Sequence, residues 1–427
     1  MNHKRQRIAV IGAGISGLAS AYFLHREHDV VLYEAGNYLG GHTNTVDVTL
    51  EGRTHGVDTG FLVYNERTYP NLIALFDELQ VASIASDMSF AVAMDDGALE
   101  WAGTNLDTVF AQRANLGSPS FLRMLWDILH FNRNAERFLR QAMLSGETLG
   151  QLLQQQRYGD RFRDAYLLPM AAAIWSSSPS DILHFPAATF LRFCLNHALL
   201  QVNNRPQWRT VAGGARHYVQ KIAAVLPDCR LDTPVHAVRR VAGGPVQVDS
   251  KHGTEIFDAV VFATHAPTTL ALLQNASARE RALLGAVRYQ PNTAYLHTDA
   301  SLMPRRRKAW SAWNYLSGAQ VDGQRPVCVS YWLNQLQALP FETPVIVTLN
   351  PHTPPAADKL LAKFEYDHPI MDHGAIHAQQ QLEQIQGIDR VWYAGAWTGY
   401  GFHEDGLKSA LRIASAFGVA PAWTSLP

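Results

Sequence analysis

The 427-residue chain has few cysteines, almost no net charge and no long apolar run. Its three cysteines, Cys194, Cys229 and Cys328, are dispersed and form no CxxC pair, so a disulfide framework is not expected and a reducing cytoplasm fits best. The formal net charge of −1 gives no global electrostatic case for binding nucleic acid or anionic lipid. No uninterrupted apolar run approaches ~18 residues, so no membrane-spanning helix is predicted.

Several catalytic signatures are also missing. There is no GxSxG, which argues against a serine hydrolase. The side chains of His368, Asp372, His373 and His377 match no metal-ligand spacing, so solvated histidines are favoured over a metal site. With 47% hydrophobic and 17% charged residues, the chain is expected to be globular and, at this length, to form two domains.

The first forty residues predict a strand–turn–helix–strand unit. The strands cover residues 7–11 and 29–34, and helical spacing covers residues 15–26 between them. This is a βαβ unit, which calls for a parallel sheet covered by helices.

The rest of the chain divides into helical and strand-rich blocks. Helices are predicted over 71–79, 121–143, 185–200 and 217–226, with a hairpin over 89–101. A meander is predicted over 234–241, 245–250 and 258–263, then a buried strand over 391–394 and a helix over 406–417. The α/β signal thus predicts one discontinuous nucleotide-binding domain (1–75, 205–285 and 375–427) with an inserted α+β substrate domain (76–204 and 286–374).

A complete GxGxxG motif, Gly12-Ala13-Gly14-Ile15-Ser16-Gly17, joins the first strand to the helix. Gly12 permits the sharp turn, Gly14 lets the backbone approach a pyrophosphate, and Gly17 allows close helix–strand packing. The helix N-terminus offers free N–H groups to phosphates. Glu34 ends the second strand and is placed to bind ribose hydroxyls. The unit therefore predicts a dinucleotide site.

Two further glycine-rich segments favour FAD over NAD. The pair Gly40-Gly41 follows Glu34 almost at once, and a loop from Gly395 to Gly406 leads into the last helix. A helix N-terminus aimed at an isoalloxazine ring would stabilise the negative charge that develops there on reduction.

These segments resemble the flavin amine oxidase superfamily, which includes amine oxidases, protoporphyrinogen oxidase and phytoene desaturases. The resemblance rests on residues 34–41 with 57–60, on 233–264, and on Ala394-Gly395 with Glu404-Asp405-Gly406. The strings GAWTGYGFHEDG and FEYDHP are most similar to a bacterial subgroup of predicted NAD/FAD-binding proteins associated with cyclopropane fatty-acid synthases. The resemblance implies a Rossmann-like, glutathione-reductase-like two-domain flavoprotein.

Together, motif and resemblance predict the residues that hold FAD. They are Gly12, Gly14, Ile15, Ser16, Gly17, Glu34, Ala35, Gly40, Gly41, His42, Thr43, Gly60, Val235, Thr264, Gly395, Ala396, Glu404, Gly406 and Leu407. His42 departs from the family's usual arginine, and Ala396-Trp397 departs from its usual acidic residue. Non-covalent FAD is expected because no cysteine lies near Gly395, and a histidyl link through His42 or His403 is the alternative.

The substrate is predicted from the aromatic content of the insert and the last loop. Trp397 and Tyr400 in the loop, with Trp313 and Tyr315 in the insert, are pocket candidates, although Trp313 and Tyr315 fit an ordinary sheet core equally well. No catalytic acid or base is identified.

These observations favour a cytoplasmic FAD-dependent oxidoreductase that transfers a hydride from an acyl lipid or isoprenoid to flavin N5. Oxidation of an amine is the alternative, and a non-catalytic prenyl- or lipid-binding protein is a remote one. The run Arg305-Arg306-Arg307-Lys308 is interpreted as a solvated loop or a patch for phospholipid head groups, which would allow peripheral membrane contact. The electron acceptor after FAD is left open, and no nucleic-acid partner is expected.

Overall fold

The computed structural model describes residues 5–175, 178–201, 205–241, 243–318, 328–419, 421 and 423. Within these residues the strands are β1 (Arg7–Ile11), β2 (Asp29–Tyr33), β3 (Thr45–Leu50), β4 (Arg53–Asp58), β5 (Tyr64–Asn65), β6 (Ser83–Ser86), β7 (Phe90–Met94), β8 (Leu99–Ala102), β9 (Trp208–Val211), β10 (Cys229–Arg230), β11 (Val235–Arg240), β12 (Val246–Ser250), β13 (Gly253–Phe257), β14 (Ala259–Phe262), β15 (Tyr289–His297), β16 (Trp313–Ser317), β17 (Cys328–Trp332), β18 (Ile346–Leu349), β19 (Leu360–Pro369) and β20 (Val391–Tyr393).

The α-helices of the same residues are α1 (Ile15–Leu24), α2 (Pro70–Glu78), α3 (Leu106–Val109), α4 (Pro119–Ser145), α5 (Leu149–Gln155), α6 (Asp160–Phe162), α7 (Leu168–Trp175), α8 (Pro179–His184), α9 (Ala187–Asn196), α10 (Arg216–Ala223), α11 (Ala266–Leu272), α12 (Ala278–Gly285), α13 (Leu333–Leu336), α14 (His373–Gln381) and α15 (His403–Ala416). A π-helical turn over Arg163–Leu167 joins α6 to α7.

One sheet has five parallel strands in the order β10-β2-β1-β14-β20. The predicted βαβ unit is confirmed: β1 has the expected bounds, α1 ends two residues early at Leu24, and β2 ends one residue before Glu34. The mixed α/β class with a Rossmann-like domain is therefore correct.

Strand β1 is buried on both sides of this sheet. Ile8 and Val10 pack into a core that includes side chains of α1 and α15, whereas Ala9 and Ile11 pack into a second core on the other side. Successive side chains of a strand point to opposite faces, so a strand covered on both faces is apolar throughout.

The predicted meander is correct in kind but wrong in its third strand. β11, β12 and β13 form an antiparallel sheet, whereas β14 leaves it and pairs in parallel with β1. Only Phe257 of β13 is fully buried, so this strand carries little apolar signal. Residues 258–263 read as buried because they lie in the middle of the parallel sheet.

A second, seven-stranded sheet has the order β19-β15-β18-β17-β16-β7-β8. Its pairs are antiparallel except for β16 with β7, and the predicted 89–101 hairpin is confirmed as β7–β8. Side chains of this sheet and of helices α4, α5, α7 and α9 share one apolar core.

The two sheets draw their strands from the two sets of segments predicted as separate domains. A small sheet, β5-β9-β6, crosses that division, because β9 pairs with both β5 and β6. The domain boundaries stay a prediction. In the part of the chain that the structure describes, no helix is both long and apolar enough to cross a membrane.

Candidate functional site

The three glycines of the first glycine turn, in the predicted dinucleotide site, have different structural roles. Gly12 has a φ of +98° and donates its N–H to the Tyr33 carbonyl at 2.8 Å. A Cβ on Gly17 would overlap the Gly12 carbonyl oxygen, whereas a Cβ on Gly14 would meet no atom within 4 Å. Gly17 is therefore needed for packing, and Gly14 opens onto free space.

Helix α1 begins directly after this turn. Its N-cap residue is Gly14, so no side chain caps its first N–H groups. The first N–H groups of a helix have no partner within the helix. Uncapped N–H groups and the positive end of the helix dipole favour an anion at this position.

Glu34 has a different environment from the one expected. Its carboxylate accepts hydrogen bonds from the backbone N–H of Ala13 and of Gly36, both at 2.8 Å. It therefore braces the glycine turn from the end of β2. Glu34 still lines the cavity described below.

The second glycine pair lies against the first turn. Gly40 donates to the Ala13 carbonyl at 2.8 Å, and Gly14 and Gly40 form an isolated parallel bridge. A Cβ on Gly41 would stand 3.1 Å from the Gly14 Cα. Glycine is required here because the two loops touch through their backbones.

The C-terminal glycine loop follows β20 and is fixed from several directions. The Gly395 N–H donates to Ser409 Oγ at 3.0 Å, and Gln379 Nε2 donates to the carbonyls of Trp397 and Gly399 at 2.9 and 2.7 Å. Helix α15 then begins at His403. The Asp405 carboxylate accepts the Phe402 N–H at 3.1 Å and caps this helix.

One cavity of about 530 Å³ is lined by the three glycine loops and by residues of the segments 76–204 and 286–374. Most residues predicted to hold FAD lie in its wall. They are Gly12, Gly14, Ile15, Ser16, Glu34, Ala35, Gly40, Gly41, His42, Gly60, Val235, Thr264, Gly395 and Ala396. Three of the four aromatic candidates, Trp397, Tyr400 and Trp313, line it too.

Six predicted site residues lie outside the wall. Gly17 is packed against Gly12, and Tyr315 is buried in the core of the insert. A Cβ on Gly406 would stand 2.8 Å from the Ile15 Cγ2 atom, so Gly406 allows α15 to pack on α1. Leu407 is fully buried beside it. The remaining two are hydrogen-bonded elsewhere.

Those two are Thr43 and Glu404. Thr43 Oγ1 contacts Tyr218 Oη at 2.5 Å and His403 Nε2 at 2.8 Å. Glu404 accepts hydrogen bonds from both N–H groups of Asn71 and from the Leu72 backbone, which caps α2. Both residues therefore stabilise the structure around the cavity and do not line it.

Sequence reasoning missed a cluster of histidine side chains in the cavity wall. His42, His265 and His368 line the wall together, with ring centroids 5.2 Å apart for His42–His368 and 6.3 Å for His42–His265. Tyr366 stacks on His42 at 4.9 Å. Three distant segments supply these rings. His42 was predicted as a cofactor contact, and Thr264 precedes His265. The prediction of a solvated histidine is wrong for His368, which lies in β19 and in the cavity wall.

Burial keeps these histidines uncharged. Burial and the neighbouring His368, His265 and His403 rings hold the pKa of His42 well below its usual value. Burial, with His265 nearby, lowers the pKa of His368 to about 4, and burial alone lowers that of His403 to about 3. At neutral pH the histidines in the cavity wall are therefore neutral imidazoles.

Trp397 and Tyr400 both line the cavity but pack against different cores. Trp397 packs in the core beside the parallel sheet, and Tyr400 packs against the core of the insert with its ring 5.6 Å from Phe193. The Trp397 Nε1 atom is buried without a hydrogen-bond partner, as is Nε2 of His42. Such orphaned polar atoms in a cavity wall are typical of a ligand site.

The basic run 305–308 is largely engaged within the molecule. Arg306 pairs with the buried Glu100 at 2.7 Å, Lys308 pairs with Asp107 at 2.6 Å, and the Arg307 guanidinium lies 3.6 Å from the Trp310 ring. This favours a structural loop over a head-group patch. Among the described residues, no group of three or more His, Cys, Asp or Glu side chains is arranged to hold a metal ion.

Comparison with known proteins agrees with this architecture. The model of the NAD(P)-binding Rossmann-like domain matches residues 10–79. No curated protein matches the chain in sequence.

Three solved structures share the fold over nearly the whole chain. The first is a CLA-producing fatty acid isomerase from P. acnes, with TM-score 0.67 and 15% identity over 96% of this chain and 98% of that one. The second is cyclohexylamine oxidase from Brevibacterium oxydans IH-35A, with TM-score 0.67 and 18% identity over 97% and 100%. The third is putrescine oxidase bound to putrescine, with TM-score 0.66 and 14% identity over 97% and 99%. At these identities the likeness shows the fold.

Proposed function

We propose that this protein is an FAD-dependent oxidoreductase that removes a hydride from an apolar substrate. The observation that carries the proposal is one cavity whose wall contains residues of all three glycine loops together with apolar side chains from residues 76–204 and 286–374. When bound, FAD would supply the hydride acceptor at flavin N5. The protein's part is to bind, orient and keep water out.

The part of the cavity wall formed by the first glycine turn fits the phosphates and ribose of a dinucleotide. Gly14 opens onto free space beside the uncapped N-terminus of α1, and Glu34 lies next to it. Val235 of the meander is in the same wall and would contact the adenine. The cavity volume of about 530 Å³ falls in the range of ~300–1,000 Å³ typical of ligand pockets.

A second part of the wall fits the flavin ring. Gly395, Ala396, Trp397 and His42 all line the cavity. The unpartnered Nε atoms of Trp397 and His42 support a ligand with hydrogen-bonding edges at this place. We expect FAD to be held without a covalent bond, because no cysteine lies near Gly395. Nε2 of His403 already contacts Thr43, and its ring stacks on Phe61 at 3.6 Å, so a histidyl link would form at His42 instead.

The apolar part of the wall fits an acyl or isoprenoid chain. It includes Ile174, Trp175, Phe193, Leu199 and Trp208, and the described wall contains no lysine or arginine. Of the two carboxylates in the wall, Glu34 braces the glycine turn and Asp367 lies 4.0 Å from His265. Both carboxylates therefore already have partners within the protein, which disfavours a cationic substrate.

The first experiment identifies the cofactor. The purified protein should be yellow, and acid precipitation should release FAD into the supernatant. Release of FMN, or a colourless protein that takes up no FAD, would overturn the proposal and favour the remote alternative of a non-catalytic lipid- or prenyl-binding protein.

The second experiment ranks the substrates. Without oxygen, unsaturated, methylated or cyclopropanated acyl lipids should bleach the flavin, whereas putrescine and cyclohexylamine should not. Bleaching by the amines alone would favour amine oxidation, the activity named for two proteins of similar fold. Peripheral membrane contact stays a prediction, which flotation with lipid vesicles would test.

A further inference from the structure

A chain of amide side chains lies behind His368 and is not used by the proposed function. The Thr293 backbone N–H donates to Asn350 Oδ1 at 2.9 Å. This contact fixes the orientation of the Asn350 amide, because only its oxygen accepts a hydrogen bond. Asn350 Nδ2 therefore donates to Asn292 Oδ1, at 2.7 Å.

The orientation of Asn350 fixes that of Asn292 in turn. With its oxygen occupied as an acceptor, Asn292 presents its Nδ2 group to the Gln290 carbonyl at 3.0 Å and to His368 Nδ1 at 2.9 Å. Asn292 is almost fully buried, so it has no alternative partner in water. The Nδ1 atom of His368 must then be the acceptor of this hydrogen bond.

A neutral imidazole has one protonated nitrogen, so an accepting Nδ1 places the proton of His368 on Nε2. The ring lines the cavity, and burial keeps it neutral. A second proton would have to enter at Nδ1, where the Asn292 amide already donates. The chain from Thr293 to His368 thus favours one tautomer and opposes protonation.

We propose that His368 is a fixed, uncharged N–H donor to a bound ligand, and that Asn292 and Asn350 are positioning residues that hold it in this form. The acceptor would be an oxygen or nitrogen atom that gains negative charge during the reaction. It belongs either to the edge of the bound FAD ring or to a carbonyl group of the substrate. This identity of the acceptor rests on the proposed function, whereas the tautomer does not.

A neutral donor has a physical advantage at this position. A charged imidazolium would be costly to bury in an apolar cavity without a counter-ion, and it would bind the resting state as well as the charged one. A preorganised N–H group stabilises charge only where that charge develops. The ionisable side chains beside His368 are His42 and His265. Around these two, Tyr366 and His403 lie next to His42, and Asp367 lies next to His265.

The tautomer is tested by nitrogen NMR of histidine-labelled protein. In the wild type, His368 should show a protonated Nε2 and an unprotonated Nδ1. Asn292→Asp should move the proton to Nδ1 and raise the pKa of His368, because a carboxylate accepts where the amide donated. Asn105→Asp, at the exposed cap of α3, is the matched control and should change neither.

Two His368 variants, compared in FAD-loaded protein, locate the acceptor. His368→Phe removes the donor, and His368→Gln restores an N–H at a similar reach. If the acceptor is on FAD, the reduction potential should fall in the Phe variant and recover in the Gln variant. If it is on the substrate, the potential should stay constant while binding of methyl decyl ketone weakens about tenfold in the Phe variant alone.

Either result supports the donor, and the pair together separates its two partners. A wild-type His368 with its proton on Nδ1 overturns the proposal, as do variants in which potential and ketone affinity are both unchanged. A protein that binds no FAD would instead sink the proposed function, and the NMR measurement would still decide the tautomer.

Discussion

Glu404 accepts a hydrogen bond from the Asn71 side chain at 2.6 Å, although 333 positions of sequence separate the two residues. The same carboxylate accepts the backbone N–H groups of Asn71 and Leu72 at the start of α2. A motif that resembles a cofactor contact thus holds the first and last parts of the chain together.

Replacing Glu404 with Ala should destabilise the protein while leaving FAD bound. The two N–H groups at the start of α2 would lose their acceptor inside the protein, which costs about 1–3 kcal/mol. Urea unfolding and the ratio of FAD to protein measure the two effects. Glu383→Ala, at an exposed site, is the control. Loss of FAD with unchanged unfolding would restore Glu404 as a cofactor ligand.

The glycines of the first turn should separate binding from folding. Gly14→Val should fold normally and bind no FAD, because its side chain enters free space beside the helix N-terminus. Gly17→Ala should instead cost on the order of 3 kcal/mol, since its Cβ overlaps the Gly12 carbonyl oxygen. Thermal unfolding and flavin absorbance distinguish the two.

The control for the glycine pair is Gly117→Val, since a Cβ there also meets no atom within 4 Å and the site is outside the cavity. It should keep both properties. FAD bound at wild-type levels by the Gly14 variant would contradict the assignment of the site.

Glu34→Ala should weaken the protein even before any cofactor binds. Its carboxylate accepts the N–H groups of Ala13 and Gly36, so removal costs about 1–3 kcal/mol in the cofactor-free state. Glu27→Ala, at an exposed position in the same unit, should have little effect. If unfolding of the cofactor-free variant matches wild type, the bracing role is wrong.

Stability should fall as the pH decreases from about 6.5 to 4. Burial lowers the pKa of His297 to about 4, and its ring accepts the Asp299 N–H and contacts Thr348 Oγ1. A histidine in the unfolded chain titrates near ~6.5, so the unfolded state binds more protons across this window, on the order of 3 kcal/mol for His297. Five other histidines have a lowered pKa and act in the same direction: His42, His197, His265, His368 and His403.

Two carboxyl groups oppose this trend in part. Burial raises the pKa of Asp58 and of Asp405 to about 6, so their contribution is present below about pH 4 and is lost as the pH rises through 6. His297→Gln should flatten the pH dependence of urea unfolding, whereas His184→Gln, at an exposed site, should not. Equal slopes in wild type and the His297 variant would contradict this account.

Local signals predicted the βαβ unit almost residue by residue. The predicted strands, glycine turn and helix agree with the structure to within two residues, because burial on both faces makes β1 and β2 apolar at every position after the first. β13 escaped detection because one buried residue, Phe257, leaves no alternation to recognise.

Long-range contacts could not be predicted from any local pattern. The histidine cluster is assembled from a loop after β2, a loop after β14 and the end of β19. In the same way, nothing near Glu404 indicates that its partner is the start of α2. Resemblance to a family transfers the motif but not the partner that this particular chain gives it.

The position of β20 in the parallel sheet has a consequence for how the protein matures. β20 pairs with β14, β14 pairs with β1, and α15 packs on α1, so the first and last segments of the chain form one unit. During synthesis, the two N-terminal glycine loops emerge hundreds of residues before the third. The cavity therefore has no complete wall until the third glycine loop has been made, and we expect cofactor capture to follow the synthesis of that loop.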